Sequence, residues 1–209
     1  MFSLGKGREA LPVKAPSCRL ETARLVLRPA VIDDYPQWRK VRAENYDYLK
    51  PFEPAWPPKC LEEEFFQRRV ARLNRDWIED RTYAFLVLLK DETLIGGMNI
   101  NNVARGAAQY GSLGYWLAEN AQGHGYMTEA AAAVLQHAFT KLAFERINAA
   151  TLPHNEKSKS MLKRLGFAEE GFAKSYVQID GVRADHVLFG LTLEDYSMHA
   201  LRMRTEDRG

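Results

Sequence analysis

The chain has 209 residues, 46% of them apolar and 27% charged, enough to bury one good core within one ordinary domain. A formal net charge of +2 argues against a dedicated nucleic-acid surface. No apolar run reaches membrane-spanning length and residues 1–16 lack a signal-peptide core, so a cytoplasmic protein without a membrane partner is expected.

In chain order, residues 1–19 read as a flexible arm without periodicity, and one domain is expected over residues 20–195. Leu20 to Pro29 reads as a first strand that stops at proline, followed by a helix from Ile32 through Trp38, Val41 and Arg42. Glu44 to Pro58 carries Tyr46, Tyr48, Phe52, Trp56 and four prolines, which exclude a long helix; it suits either a hydrophobic plug over the core or a substrate-lining loop. Cys60 to Ile78 has the spacing of an amphipathic helix with Phe65, Phe66, Val70 and Leu73 inward, and its Arg68, Arg69, Arg72 and Arg75 suit a solvated face, with a basic patch for an acidic partner as the other reading. Cys18 and Cys60 have no metal-ligand spacing and are expected as free thiols, and no metal is expected.

Tyr83–Leu89 and Leu94–Val103 flank a short polar connection and predict an antiparallel hairpin. Leu113–Leu117 then reads as a strand, Thr128–Leu142 as a helix and Arg146–Leu152 as a further strand, a βαβ unit that makes the sheet mixed, with a locally parallel pair. Asn155 suits a helix N-cap and Gly166 its left-handed stop. Tyr176–Ile179 and Arg183–Phe189 flank Asp180-Gly181, a strong hairpin turn, and residues 196–209 read as a polar, frayed tail.

The connection between the Leu113–Leu117 strand and the next helix holds Gly123 and Gly125. Without a Cβ these positions can take positive φ and let a ligand approach the backbone, and the helix that follows opens with amides lacking carbonyl partners. That is an anion site, although a Gly-x-Gly also serves as a plain tight turn. A dinucleotide fingerprint would need glycine at Thr128 and a P-loop would need Gly-Lys-Ser/Thr, and neither is present.

Gln122-x-x-Gly125-x-Met127 resembles the acetyl-CoA loop of the GNAT N-acetyltransferases, with Met127 in place of the usual small residue. Asn155-x-x-Ser158 running to Leu165-Gly166-Phe167 resembles that family's second motif, although the stretch also reads as a well-capped surface helix. The segments Glu44–Pro54, Asn102–Gly106, Pro153–Asn155 and Ile179–Gly181 with Asp185–Val187 are similar to its RimJ branch, which acetylates the N-terminal alanine of a ribosomal protein. The resemblance implies an α/β fold with a splayed, mostly antiparallel sheet flanked by helices. It implies acetyl-CoA as co-substrate, held by Trp116, Leu117, Gln122, Gly123, His124, Gly125, Tyr126, Met127, Thr128, Asn155 and Ser158. The implied partner is the N-terminal segment of a ribosomal protein, with association with the ribosome.

An amine must be uncharged to attack a thioester, and the departing thiolate benefits from a proton. Where many relatives carry a tyrosine acid, this chain has Leu162. His186, Tyr176 and Glu53 are the proton-transfer candidates, with Glu44 beside them for the substrate ammonium, while core packing also accounts for the histidine and the tyrosine. Two other functions stay open: acetylation of a small amine such as an antibiotic or polyamine, and a non-catalytic acetyl-CoA-binding ribosome-assembly factor.

Overall fold

A computed structural model describes residues 14–206. Of the expected N-terminal arm, residues 1–13 lie outside the described residues, and 14–19 carry no regular element. The expected first strand is two, β1 (Leu20–Glu21) and β2 (Leu25–Arg28), paired antiparallel. Thr22 breaks the run: its amide donates to the Leu25 carbonyl at 3.0 Å and its hydroxyl accepts from the Leu25 amide at 2.9 Å. A hydroxyl that offers the backbone a local partner makes a turn of what composition alone reads as a strand.

Helix α1 (Tyr35–Glu44) begins with Pro36 in its first turn, where a missing amide costs nothing. The proline-rich stretch holds one short helix, α2 (Tyr46–Leu49), and a 3₁₀ turn, before α3 (Glu63–Ile78). The hairpin β3 (Tyr83–Leu89) and β4 (Leu94–Ala104) leads into β5 (Tyr110–Leu117), α4 (Tyr126–Thr140), β6 (Arg146–Thr151) and α5 (Glu156–Arg164). The closing hairpin is β7 (Ala168–Ile179) with β8 (Val182–Thr192), turned by Asp180 and Gly181 at φ of 44° and 83°.

The expected frayed tail is instead α6 (Leu193–Glu206). Its start is built in: the Thr192 hydroxyl accepts from the Asp195 amide at 3.0 Å and donates to the Asp195 carboxylate at 2.7 Å. Thr-x-x-Asp is a capping pattern, and Tyr196 stacks on Phe139 of α4 at 4.8 Å between centroids, which fastens the helix to the body.

One eight-stranded sheet runs β1-β2-β3-β4-β5-β6-β8-β7, with β5–β6 the parallel pair and the other neighbours antiparallel. Alternation sorts its side chains: Leu25, Leu27, Phe85 and Val87 join the core under α4, α5 and α6, whereas Val26, Leu86 and Leu88 join Trp38, Phe66 and Val70 under α1 and α3. Both faces are therefore covered, as a sheet with a parallel centre requires. Ile147 on β6 is fully buried where β5, β6 and β8 meet. Ile147→Ala is expected to destabilise the fold by about 2–5 kcal/mol, measured as a shift of the denaturant midpoint at unchanged slope.

Candidate active site

Strand β5 stays paired with β4 as far as Leu117 opposite Gly96, but its parallel pairing with β6 ends at Leu113 opposite Ala149. Beyond that point β6 follows β8, with Ala150 opposite Leu188 and Thr151 opposite Val187. From Gly114 to Leu117 the edge of β5 that faced β6 has no strand partner among the described residues. The divergence starts beside a bulge between Asn101 and Ala104 of β4, where Asn102 takes φ of 53°, and a bulge strengthens local twist. A cleft of about 640 Å³ occupies the gap.

At the far end of β5 the chain makes the predicted turn. Gly123 and Gly125 both take φ of 76°, and Gly125 is the N-cap of α4, which begins at Tyr126 rather than Thr128. A Cβ on Gly123 would meet no atom within 4 Å, and one on Gly125 only the Arg24 guanidinium at 3.5 Å. The turn is thus open, with the first α4 amides of Tyr126, Met127 and Thr128 unpaired within the helix and the dipole adding positive charge. Gln122 is not free: its amide donates to the Tyr48 hydroxyl, and its carbonyl accepts from Lys157 at 2.8 Å.

Arg24, expected within a strand, instead clamps this loop. Its guanidinium donates to the His124 carbonyl at 2.9 Å and to Glu129 at 2.6 Å, and stands 4.7 Å over the Tyr126 ring, itself stacked on His124. Burial alone would raise the Glu129 carboxyl, but hydrogen bonds from Thr22 and Arg24 outweigh it and hold it below the usual value. The β1–β2 turn therefore delivers the charge that fixes the loop.

Asn155 is the N-cap of α5, as expected, and its Oδ1 accepts from the Ser158 amide at 3.1 Å, leaving its amide hydrogens for the cleft. Ser158 Oγ lies 2.7 Å from the Tyr115 hydroxyl, a contact the sequence did not announce. Burial pushes the Tyr115 phenol up to about 12, against the pull of the Ser158 hydrogen bond, so it keeps its proton at neutral pH. Leu162, at the place of the missing tyrosine, is packed in the core.

The second wall comes from Phe52 to Pro57, resolving the two readings of the aromatic stretch in favour of a cleft-lining loop. The loop is fastened to the closing hairpin by the Asp180 amide, which donates to the Glu53 carbonyl at 2.9 Å. Glu53 itself is committed: its carboxylate accepts two bonds from Arg42, at 2.8 and 2.5 Å, and one from Trp56 at 2.9 Å. Arg42 in turn lies between the Trp56 and Trp116 rings, at 4.1 and 4.8 Å. A carboxylate so occupied cannot serve as the free base expected of it. Glu44 is exposed and does not line the cleft.

His186 is buried against the cleft and Tyr176 is half exposed outside its lining, with ring centroids 5.9 Å apart. The histidine Nδ1 sits 3.0 Å from the Ala184 carbonyl, which can only accept, so this nitrogen carries the proton and Nε2 keeps its lone pair. Trp116 owes its position to Gly97 on β4, where a Cβ would come within 2.5 Å of the indole nitrogen. The basic face of α3 divides: Arg68, Arg72 and Arg75 are exposed, as a solvated face requires, with Arg68 paired to Glu64 at 2.7 Å, whereas Arg69 is half-buried; Arg69 and Arg72 line the cleft.

An acetyltransferase (GNAT) domain model matches residues 24–168. The chain belongs to the GNAT acetyltransferase family. It is 37% identical over 185 residues to the ribosomal protein uS5-alanine N-acetyltransferase of Escherichia coli, spanning 87% of this chain and 94% of that one. It is 30% identical to the probable N-acetyltransferase YjcK of Bacillus subtilis, over 84% of this chain and 98% of that one. Mycobacterium smegmatis RimJ, solved with CoA-disulfide, superposes with a TM-score of 0.80 at 30% identity, covering 86% of this chain and 88% of that one. The ribosomal-protein-S5-alanine acetyltransferase of Vibrio fischeri gives 0.81 at 29% identity, covering 86% and 99%. This acetyltransferase accordingly uses acetyl-CoA to acetylate an amine. The open glycine turn, its unpaired amides and the free β5 edge fit that co-substrate on geometry alone.

Millimolar acetyl-CoA is expected to raise the melting temperature, since a ligand that binds only the folded state stabilises it. Gly125→Val should lose that shift relative to its own unliganded value, because a branched side chain obstructs the backbone approach and strains φ of 76°. Asn155→Ala should cost about 1 kcal/mol of stability as a lost cap and weaken acetyl-CoA when titrated where the variant is fully folded.

Proposed function

We propose that this acetyltransferase modifies the α-amino group of an N-terminal alanine of a ribosomal protein, in the cytoplasm and on or near the ribosome. The observation that carries the reading is the acceptor side of the cleft, a slot between the Phe52–Pro57 loop and the sheet, fastened to the hairpin turn, and basic rather than acidic. Arg42, Arg69 and Arg72 face a single carboxylate there, Glu53. A polyamine would meet net positive charge, which disfavours the small-cation alternative. The uS5-alanine relative, alike over most of both chains, supports a peptide acceptor.

Acetyl-CoA supplies the activated acetyl group when bound. The amides from Gly123 to Thr128 hold its diphosphate, with Gln122, His124, Tyr126 and Met127 shaping the loop, and the β5 edge at Trp116 and Leu117 pairs with its amide-bearing arm. Asn155 donates toward that arm from the start of α5. His186 receives the proton of the incoming ammonium on Nε2. An α-amino group, with its pKa of about 8, loses that proton easily near neutral pH, so a modest base suffices. The Tyr115–Ser158 pair fills the role that Leu162 cannot: it gives a proton to the departing sulfur and regains one from the nitrogen that has been acetylated. A cleft that already contains a proton acceptor and a proton donor favours an enzyme over an assembly factor that only binds.

His186→Asn is expected to lower kcat by roughly a hundredfold or more with little change in acetyl-CoA KM. With peptides beginning Ala, Ser, Leu or Asp, assayed by mass, Ala and Ser are expected to be preferred and acetylated on the α-amine. Efficient turnover of spermidine or an aminoglycoside with indifference to the peptides would overturn the reading.

A further inference from the structure

Among the described residues the cleft contains two guanidinium groups that no protein group engages. Arg69 and Arg72 stand one turn apart on α3 and both line the cleft, yet neither makes a hydrogen bond or an ion pair with another described residue. Their neighbours on α3 behave differently. Arg68 pairs with Glu64 on the solvent side, and across the cleft Arg42 is paired with Glu53. Glu53, held by Arg42 and Trp56, hydrogen-bonds neither Arg69 nor Arg72 and acts on Arg69 only through its charge. The other polar side chains of the lining, Asn99 and Asn101 of β4 among them, include no carboxylate.

Arg69 is only partly exposed, reaching between α3 and the sheet beside Trp38, Phe66, Asn99 and Trp116. An unpaired guanidinium beside buried aromatic surface is costly, and like charge adds to the cost. Burial, followed by repulsion from Arg72 and Arg42, pushes the Arg69 guanidinium down to about 10 against the opposing pull of Glu53, so it remains charged at neutral pH. A protein that keeps such a charge in a substrate cleft holds it for an anion brought by the ligand. The co-substrate's phosphates have their own place at the α4 N-terminus, reached by a different element of the chain.

We propose that Arg69 and Arg72 form a carboxylate-binding subsite in the acceptor half of the cleft, so that the preferred acceptor peptide carries an acidic side chain within a few residues of its reacting terminus. The inference rests on the acetyltransferase reading of this cleft and adds the second feature by which the acceptor is selected. Guanidinium suits the task because its planar fork donates two parallel hydrogen bonds to a carboxylate, which fixes position as well as charge. In an extended peptide alternate side chains point the same way, so the subsite reads one position and ignores its neighbours.

The test uses the full-length enzyme and alanine-initiated peptides in which Glu or Gln is placed in turn at each of the next few positions, with KM and kcat taken for peptide and for acetyl-CoA. One position is expected to give a KM about tenfold lower for Glu than for Gln, the size of a charge-assisted hydrogen bond. Arg72→Gln, on the exposed end, should abolish most of that preference while leaving acetyl-CoA KM unchanged; Arg69→Gln should do the same, checked by its melting temperature, and Arg69→Lys should restore part. Turnover that is blind to charge at every position overturns the subsite while leaving the peptide reading intact. A preference that survives both substitutions, or a loss expressed in acetyl-CoA KM, also overturns it. Short acceptors with a free C-terminal carboxylate are compared with their amides: a preference confined to the free acids overturns the side-chain assignment. Absence of turnover with every peptide would remove the acceptor reading and the subsite together.

Discussion

Everything in the cleft depends on two parallel strands parting while both remain in the same sheet. Backbone amides and carbonyls inside a protein are paired almost without exception, because an unpaired one costs about what a lost hydrogen bond costs. Here β5 keeps its ladder to β4 and β6 its ladder to β8, so each strand remains fixed while the edge between Gly114 and Leu117 opens. The sheet can carry such a rift at its centre because one continuous core under α4, α5 and α6 spans both sides of it. A ligand with amides of its own, laid along β5, completes the ladder that the fold leaves unfinished.

The two ends of the rift solve their electrostatics by different means. At the end proposed for the co-substrate, main-chain amides at a helix start offer oriented dipoles, and of the cations nearby Arg24 is neutralised by Glu129 while Lys157 is hydrogen-bonded to Gln122. Side-chain guanidinium groups dominate the acceptor end, one neutralised by Glu53 and two left bare. Dipoles held by the backbone suit a ligand that never varies. Charges on side chains can be exchanged one at a time, which suits a half-site that, on the peptide reading proposed above, distinguishes one protein terminus from another.

Much of this was legible in the sequence because the signals were local. The glycine turn, the Asn155 cap, the Gly166 stop and the Asp180-Gly181 hairpin are each written within a few residues, and all appear where the pattern puts them. The parallel β5–β6 pair followed from the βαβ rule. What stayed hidden depends on contacts far apart in the chain. Arg24 reaches Glu129 across more than a hundred residues, Tyr115 meets Ser158, and Glu53 is claimed by Arg42, which turned an expected base into half of an ion pair. Arg69 departs from the solvated face of α3 for the same reason: helical spacing shows that Arg69 and Arg72 share a face, but not that this face looks upon a cleft. Two errors were avoidable from sequence, since Thr22 and the Thr192–Asp195 pattern are turn and cap chemistry, overlooked inside a strand run and a polar tail.

Gly97 lies outside the lining of the acceptor cleft, yet the Trp116 indole rests where its side chain would be, and Arg42 rests on the indole. The bore of the acceptor channel is therefore set by the absence of one carbon atom on the neighbouring strand. Any larger residue at that position would drive the indole toward the opening, and the stack of Arg42 and Trp56 with it. On the acceptor reading proposed above, selectivity is held partly in a position that no ligand need ever touch, and an effort to enlarge or narrow the enzyme's diet that varied only the visible walls would be working around a fixed gauge.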